Sequence, residues 1–543
     1  MSQLQEALDL HRRRLETFRW EIPERFNFGR DVVDAFAREP GRPALLWRDA
    51  GGAERRLCFA DVRDASDRVA GLLRDLGVAP GDPLLVMLPR IPEWHLVCVG
   101  ALKRGALLIP CSTLLRPRDI AYRARHSGAV AVVAGAAQAG AVDEVRAELP
   151  LLRHRLCLAE EGARPPAGWT DLREALLRAR ADPGAGHPTR AAEPALVYYT
   201  SGTTGPPKAV LHSHAYTFAQ RTTSELWHGL REGDRIWTTS DTGWAKAAYG
   251  VLFGPWSLGA EVVLYHGRFE PRRELELLAE LAPQVFCAPP TEFRLLVKED
   301  LSGLALPRLR ECVSAGEPLN PEVIRAWRDA TGLTLRDGYG QTESTLLVAN
   351  LPGLPVRPGS MGLPMPGQRV DVIDGGGAVL PAGEVGDLAV QGDAPSLFRE
   401  YWRDPEASRG CRRGDWYVTG DRAWRDPEGF FWFVGRDDDV IISAGYRIGP
   451  FEVESALVEH PEVVEAGAVA APDPDRGAIV KAYVVLRPGV AGDEALARRL
   501  QEHVKRVTAP YKYPRAIEFV DALPKTVSGK IRRVELRERA RRG

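Results

Sequence analysis

Short, uninterrupted apolar runs alternate with stretches of helical spacing along most of this chain. That alternation restricts the fold to α/β, with mostly parallel sheets covered by helices. Val62, Ala65, Val69, Leu72, Leu73 and Leu76 recur at helical spacing and are closed by Gly77. Leu84-Leu85-Val86-Met87-Leu88 is a strand-length run ended by Pro89, and a helical pattern at 93–103 follows. Residues 106–109 and 129–134 repeat the strand signal on either side of a helical pattern at 118–126. Further along, 261–265, 284–288 and 311–315 read as strands and 271–281 as a helix. Residues 1–50 read as an N-terminal wrap, and 160–195 as a loop-rich connection. Between 350 and 430 glycine and proline multiply around short β runs, such as 369–373 and 385–390, which predicts a small β unit. At 543 residues the chain exceeds what one core supports. The expected division is a large domain at 1–434, a polar hinge at 435–440 and a smaller, mobile α+β domain at 441–543.

A formal charge of −1 gives no field that would favour nucleic acid or an anionic membrane. Seven scattered cysteines without a C-x-x-C argue for a reducing, cytoplasmic setting and against a disulfide or zinc framework. The first thirteen residues lack an apolar signal core, and no run reaches the length of a membrane span. The basic residues are more informative. Only nine are lysine against 63 arginines, so a lysine here is expected where a planar guanidinium cannot serve. Lys208, Lys246 and Lys530 stand out on that ground.

Between two apolar runs lies Tyr198-Tyr199-Thr200-Ser201-Gly202-Thr203-Thr204-Gly205-Pro206-Pro207-Lys208. Glycines permit close backbone approach, successive N–H groups form an anion-binding concavity, and the lysine adds a point charge suited to phosphate. Composition alone also fits an exposed Gly/Ser/Thr linker, and the rare lysine argues against it. The two prolines before Lys208 exclude the Walker arrangement, in which a helix opens at the loop.

Four later stretches carry weaker signals. Asp337-Gly338-Tyr339-Gly340-Gln341-Thr342-Glu343 sets an accessible aromatic face beside a carboxylate able to hold Mg²⁺ on a nucleotide. Thr419-Gly420-Asp421 places a carboxylate after a strand, where ribose hydroxyls could meet it. Arg436 and Arg447 flank the Gly-Arg-Asp-Asp-Asp-Val hinge. Lys530 follows a Ser-Gly turn and opens a tail, 529–543, of net charge +5.

Together and in this order, these motifs resemble the adenylate-forming enzyme family, which includes acyl-CoA synthetases, peptide-synthetase adenylation domains and firefly luciferase. Asp241-Thr242-Gly243-Trp244, Ser443-Ala444-Gly445-Tyr446-Arg447-Ile448-Gly449-Pro450 and Tyr511-Lys512-Tyr513-Pro514 look most like the medium-chain acyl-CoA synthetases. The resemblance implies ATP, Mg²⁺ and coenzyme A as cofactors and a small carboxylic acid as substrate. A homodimer remains open as the assembly.

By the same resemblance, Thr200, Ser201, Gly202, Thr203, Thr204, Gly205 and Lys208 would hold the ATP phosphates. Gly316, Glu317 and Pro318 would meet adenine, and Asp337, Gly338, Tyr339, Gly340, Gln341 and Thr342 adenine and acyl-adenylate. Glu343 would bind Mg²⁺, Asp421 and Arg436 ribose, and Arg447 phosphate. Lys530 would drive adenylation, with Glu343 and Thr200 as catalytic companions and Asp438 as the pivot. Ala444, Gly445, Tyr446, Arg476 and Tyr513 would line the coenzyme A path. Ala444 replaces a common serine, and Ala209 a common glycine. Acetate-restricted synthetases carry a tryptophan where this chain has Gly340, which implies room for a longer or cyclic acid against Trp244 and Lys246. A carrier-protein loading enzyme and an inactive nucleotide-binding regulator are the alternatives.

Overall fold

The computed structural model describes residues 3–160, 162–183, 187–200, 206–443, 446–473, 476–526 and 530–542. Two large sheets form its body. The eight-stranded sheet runs, in spatial order, Glu400–Tyr401, Ala209–Ser213, Pro194–Tyr199, Leu107–Pro110, Pro83–Met87, Ala131–Gly135, His154–Leu158 and Thr170–Asp171. Its pairs are parallel except at the two that involve Ala209–Ser213. In the nine-stranded sheet, Leu335–Gly340, Glu311–Ala315, Val285–Ala288, Arg235–Thr238, Glu261–His266 and Pro43–Asp49 run parallel. Antiparallel strands close its edges.

One continuous core joins the two sheets, drawing on Leu84, Val86, Leu108 and Leu196 from one and Leu45, Ile236, Val262 and Val285 from the other. Helices Phe59–Asp75 and Pro92–Arg104 lie in that shared layer. The second has Pro92 at its first turn, where no N–H is missed, and Gly105 at φ 78° as its left-handed stop. Among its buried side chains is Lys103, whose Nζ sits 2.6 Å from both Asp34 and Asp67. A compact ammonium fits between those carboxylates, and removing one partner of such a buried group costs about 3–5 kcal/mol.

A smaller sheet follows, containing Val370–Ile373, Gly386–Gln391, Trp416–Arg425 and Phe431–Arg436. The last part has its own core, built from Ile441, Ile448, Val453, Leu457, Val484 and Leu500. It comprises the hairpin Ile441–Ser443 and Tyr446–Ile448, a three-stranded sheet and helices Pro450–Val458, Glu494–Val507 and Arg533–Arg542. No helix among the described residues is long and apolar enough to cross a membrane.

Two stretches correct the sequence expectation. Residues 1–50 are not a wrap: they form helix Gln3–Thr17 and the strand Pro43–Asp49, which pairs in parallel with Glu261–His266. The loop-rich connection at 160–195 contains the strand Thr170–Asp171, capping helix Leu172–Arg178 through Asp171, whose carboxylate accepts from the Glu174 N–H.

Candidate active site

The candidate phosphate loop is a hairpin link. Strand Pro194–Tyr199 turns back antiparallel as Ala209–Ser213, with Tyr199 opposite Ala209. Thr200 N–H donates to the Lys208 carbonyl at 2.9 Å, and Lys208 N–H donates to Thr200 Oγ1 at 3.3 Å, so the two ends of the loop are clamped together. Pro207 is anchored from helix Pro117–Ser127 by the Tyr122 hydroxyl at 3.0 Å. Ser201, Gly202, Thr203, Thr204 and Gly205 lie outside the described residues, as do Ala444 and Gly445. Arg447 is placed on the strand Tyr446–Ile448 by its backbone.

This loop borders a cavity of about 1590 Å³ at the junction of the sheets and the C-terminal part. That exceeds the usual size of a single small-molecule pocket and leaves room for several ligand parts. Thr200, Lys208, Trp244, Lys246, Gly316, Glu317, Pro318, Asp421, Arg436, Asp438 and Lys530 all line it, together with every residue from Asp337 to Glu343. Strand pairing explains much of this convergence. The parallel strands Glu311–Ala315 and Leu335–Gly340 deliver 316–318 and 337–343 side by side at their C-terminal ends. Asp421 and Arg436 face each other in register across two strands of the small sheet, with Arg436 Nε 3.6 Å from Asp421 Oδ1.

The polar groups are tied into networks. Asp421 Oδ2 accepts from the Tyr339 hydroxyl at 2.5 Å and from Gln341 Nε2 at 2.8 Å, and Tyr417 donates to Gln341 Oε1 at 2.9 Å. Burial raises the Asp421 carboxyl, while Arg436 and these hydrogen bonds oppose it. Glu343 is buried too, which raises its carboxyl, and the Tyr401 hydroxyl counters by donating to Oε1 at 2.8 Å. Lys208 Nζ stands 4.7 Å above the Tyr401 ring. Tyr401 therefore joins the loop lysine to the candidate metal carboxylate, a link the sequence could not reveal because it arrives 58 residues later on an edge strand. Glu317 is fixed by Thr291 Oγ1 at 2.8 Å and Arg294 at 3.3 Å.

Lys530 enters from the C-terminal part. Its side chain meets the water of the cleft while the walls surround it, and that enclosure lowers its pKa from the ordinary lysine value. Glu317, Asp421 and Glu343 oppose the shift, and Arg436 reinforces it. The turn that presents it is closed by Thr526 N–H donating to the Lys530 carbonyl at 2.8 Å.

Some expected residues are placed differently. The Asp337 carboxylate is buried and accepts from the Gly338 N–H at 2.9 Å, so it braces its own strand end. Tyr446, Arg476 and Tyr513 are not brought to this cavity. Tyr446 stacks instead on Tyr511 on the outer surface, ring centroids 4.3 Å apart, and Tyr513 packs against the C-terminal core beneath Lys505. Gly340 has a packing reason to be glycine: a β-carbon there would come within 2.6 Å of the Thr345 carbonyl oxygen. Gly340→Ala is expected to lower the melting temperature, since overpacking of this kind costs about 1–3 kcal/mol. An unchanged melting temperature would show that the adjoining strand yields.

Two family models match, that of the AMP-binding enzyme over residues 32–402 and that of the AMP-binding enzyme C-terminal domain over 452–530. The chain belongs to the AMP-binding enzyme family. It is similar to mouse (Mus musculus) mitochondrial acyl-coenzyme A synthetase ACSM3, 43% identical over 538 residues, covering 96% of this chain and 92% of that protein. An uncharacterized acyl-CoA ligase of Bacillus subtilis, YtcI, is 44% identical over 519 residues, covering 95% and 96%. Among solved structures, the anthranilate CoA ligase AuaEII in complex with anthranoyl-AMP matches with a TM-score of 0.87 at 30% identity, covering 96% of this AMP-binding enzyme and 98% of that chain. A benzoate CoA ligase from Burkholderia xenovorans matches at 0.82 and 31%, covering 94% and 100%.

Proposed function

We propose that this chain makes acyl-CoA thioesters from medium-chain, branched or aromatic carboxylic acids in two steps that share one cavity. It is an AMP-forming acid–CoA ligase. In the first step a carboxylate oxygen of the acid bonds to the α-phosphorus of ATP, the bond to the β-phosphate oxygen breaks, and pyrophosphate leaves. In the second, the thiol sulfur of coenzyme A bonds to the acyl carbon, its proton is lost, and AMP leaves with the electron pair of the broken C–O bond. The observation that carries this reading is the meeting of Lys208, Glu343 and Lys530 on one cavity from two separately cored parts of the chain.

The chemistry needs positioned cations more than a covalent nucleophile, because charge gathers on phosphate oxygens. Thr200, Lys208 and the loop between them cradle the phosphates, and Lys530 meets the reacting oxygens. Glu317 and its neighbours border adenine, Asp421 with Arg436 holds ribose, and Arg447 meets phosphate. A magnesium ion carried on the ATP phosphates suits Glu343, a single buried carboxylate. Among the described residues no group of three His, Cys, Asp or Glu could cage an ion unaided. Bound there, the ion would neutralise developing phosphate charge. Ala444, Gly445, Tyr446, Arg476 and Tyr513 serve the thiol step, after the part beyond hinge 435–440 has turned about Asp438. Seven cysteines without a disulfide support the cytosol as its compartment. Light scattering decides between a monomer and the homodimer.

ATP–pyrophosphate exchange against acids from C2 to C12 plus benzoate, then thioester detection by mass with and without coenzyme A, tests this reading. No exchange with any acid would overturn it. Exchange without thioester would favour carrier-protein loading.

Tyr401→Phe probes the Glu343 site separately, because it keeps the ring under Lys208 and deletes only the hydroxyl. That hydroxyl lowers a carboxyl raised by burial, so its loss raises the carboxyl further. The acid limb of kcat/KM for magnesium–ATP should move to higher pH in the variant. A superimposable pH profile would remove Glu343 from the ionised groups that activity needs.

A further inference from the structure

Four lysines line the cavity: Lys208 and Lys530 have tasks in the chemistry above, Lys525 pairs with Glu465 at 2.7 Å, and Lys246 has neither a task nor a partner among the described residues. Lys246 opens the helical stretch that follows Trp244-Ala245 and runs into Ala248–Leu252, and it lines the cavity. The Nζ atom is sealed from solvent and has no hydrogen-bond partner among the described residues. Cys287, Glu292 and His228 are among the titratable groups near enough to feel its charge. None of them closes on it. Glu292 accepts from the Thr239 hydroxyl instead, and burial raises its carboxyl to about 7. His228 shares Nδ1 with Ser224 Oγ at 3.0 Å, and burial depresses its pKa to about 3, so it is uncharged. The Cys287 thiol is held neutral by burial.

A buried ammonium without an acceptor is an expensive arrangement, and in a chain with nine lysines against 63 arginines its presence is selective. Its charge neighbours differ from those of Lys530. The charged groups around Lys530 are Glu317, Arg436, Asp421 and Glu343, whereas Lys246 acts on His228, Cys287 and Glu292, the last of which also feels Glu317. The two lysines thus stand in charge clusters that adjoin at Glu292 on one cavity.

We propose that Lys246 is a specificity-determining residue in the wall of the acyl pocket, and that the acids this enzyme prefers carry an oxygen acceptor besides the reacting carboxylate. A hydroxyl, a carbonyl or a second carboxylate would each satisfy it. This rests on the acid-activating function proposed above and names the substrate class within it. A plain alkyl tail would leave the ammonium unpaired, and a site built to bond a polar group discriminates strongly against analogues that lack it.

The test is kcat/KM in ATP–pyrophosphate exchange for acids matched in length: hexanoate against 5-oxohexanoate and adipate, and benzoate against 3-hydroxybenzoate. The wild type should favour at least one oxygen-bearing member of each pair by roughly 10- to 100-fold, the range of a hydrogen bond to a charged group. Which member wins distinguishes a neutral acceptor from a second anion. Lys246→Met should collapse the preference and favour hexanoate, while Lys246→Gln, which still donates, should keep part of it. Thermal unfolding of both variants with ATP reports whether they fold. A wild-type preference for hexanoate and benzoate would overturn the proposal, as would Lys246 variants that lower every acid alike, the mark of a lysine serving the reacting carboxylate. If no acid supports exchange at all, the proposed function itself falls.

Discussion

Lys530→Ala will depress acyl-AMP formation by about 10³-fold or more, the scale on which single positioned donors and cations act in acyl and phosphoryl transfer. The same variant will still convert supplied acyl-AMP and coenzyme A to thioester. The asymmetry follows from placement. Lys530 comes from the C-terminal part and reaches the cavity beside Glu317, Asp421 and Glu343. On the function proposed above, a thiol approaching the acyl carbon and this ammonium would compete for the same space, so the lysine would serve one step and vacate for the other. Enclosure lowers its pKa, so in the free enzyme the charged form is lost at a lower pH than for an exposed lysine. Adenylation should therefore fall on the alkaline side before thioester formation does. Rapid-quench measurement of acyl-AMP, run beside thioester release from synthetic acyl-AMP, reads both steps. Equal loss in the two would remove Lys530 from its role.

Asp438→Pro should give the opposite pattern: exchange within about threefold of wild type and thioester formation down by about 10²-fold, since small misplacements of reacting groups have losses of that order. Proline locks φ near −65° and so freezes one backbone torsion of the hinge. The region is already braced, with Arg537 donating to the Asp438 carbonyl at 3.0 Å and pairing with the Asp439 carboxylate. Arg533 grips both oxygens of Glu454 at 2.8 Å. By contrast, among the described residues the polar side-chain contacts between the two parts are three: Asn320 to Ser455 at 2.8 Å, Lys298 to the Val464 carbonyl at 3.2 Å, and Arg325 to Glu459 at 3.6 Å. An interface of that kind releases readily, which is what a hinge closure needs. If the proline variant made thioester at the wild-type rate, rotation about Asp438 would not be part of the cycle.

Local signals read well wherever a stretch carried its own boundary. Helix Pro271–Leu281 begins with a proline at its first turn and shows clean periodicity, and the strand Glu311–Ala315 is an apolar run followed at once by Gly316. Both match the sequence reading to the residue. The N-terminal fifty residues failed because what orders them is remote. Leu8 packs with Leu363 and Phe430, and His11 Nε2 lies 3.1 Å from the Pro364 carbonyl. The strand Pro43–Asp49 gains its place only against Glu261–His266, two hundred residues later. At the site, the residue types and their order were visible, but the links between them were not. Tyr339 with Asp421 and Tyr401 with Glu343 join residues 82 and 58 positions apart, so no spacing announces them. The scarcity of lysine singled out Lys208, Lys246 and Lys530, all of which line the cavity, and it extends to Lys103, which occupies a place made for a small cation.

Gly340 sets a limit on how this enzyme could be retuned. Any β-carbon at that position meets the backbone of 345–346 before it reaches open space. A redesign toward shorter acids that begins by plugging 340 would shift a strand that also anchors the loop leading to Glu343. On the function proposed above, the tolerant route is Trp244, which is half-buried and borders the cavity. Laboratory evolution of chain-length preference should accordingly collect its first substitutions around 244 and leave 340 untouched.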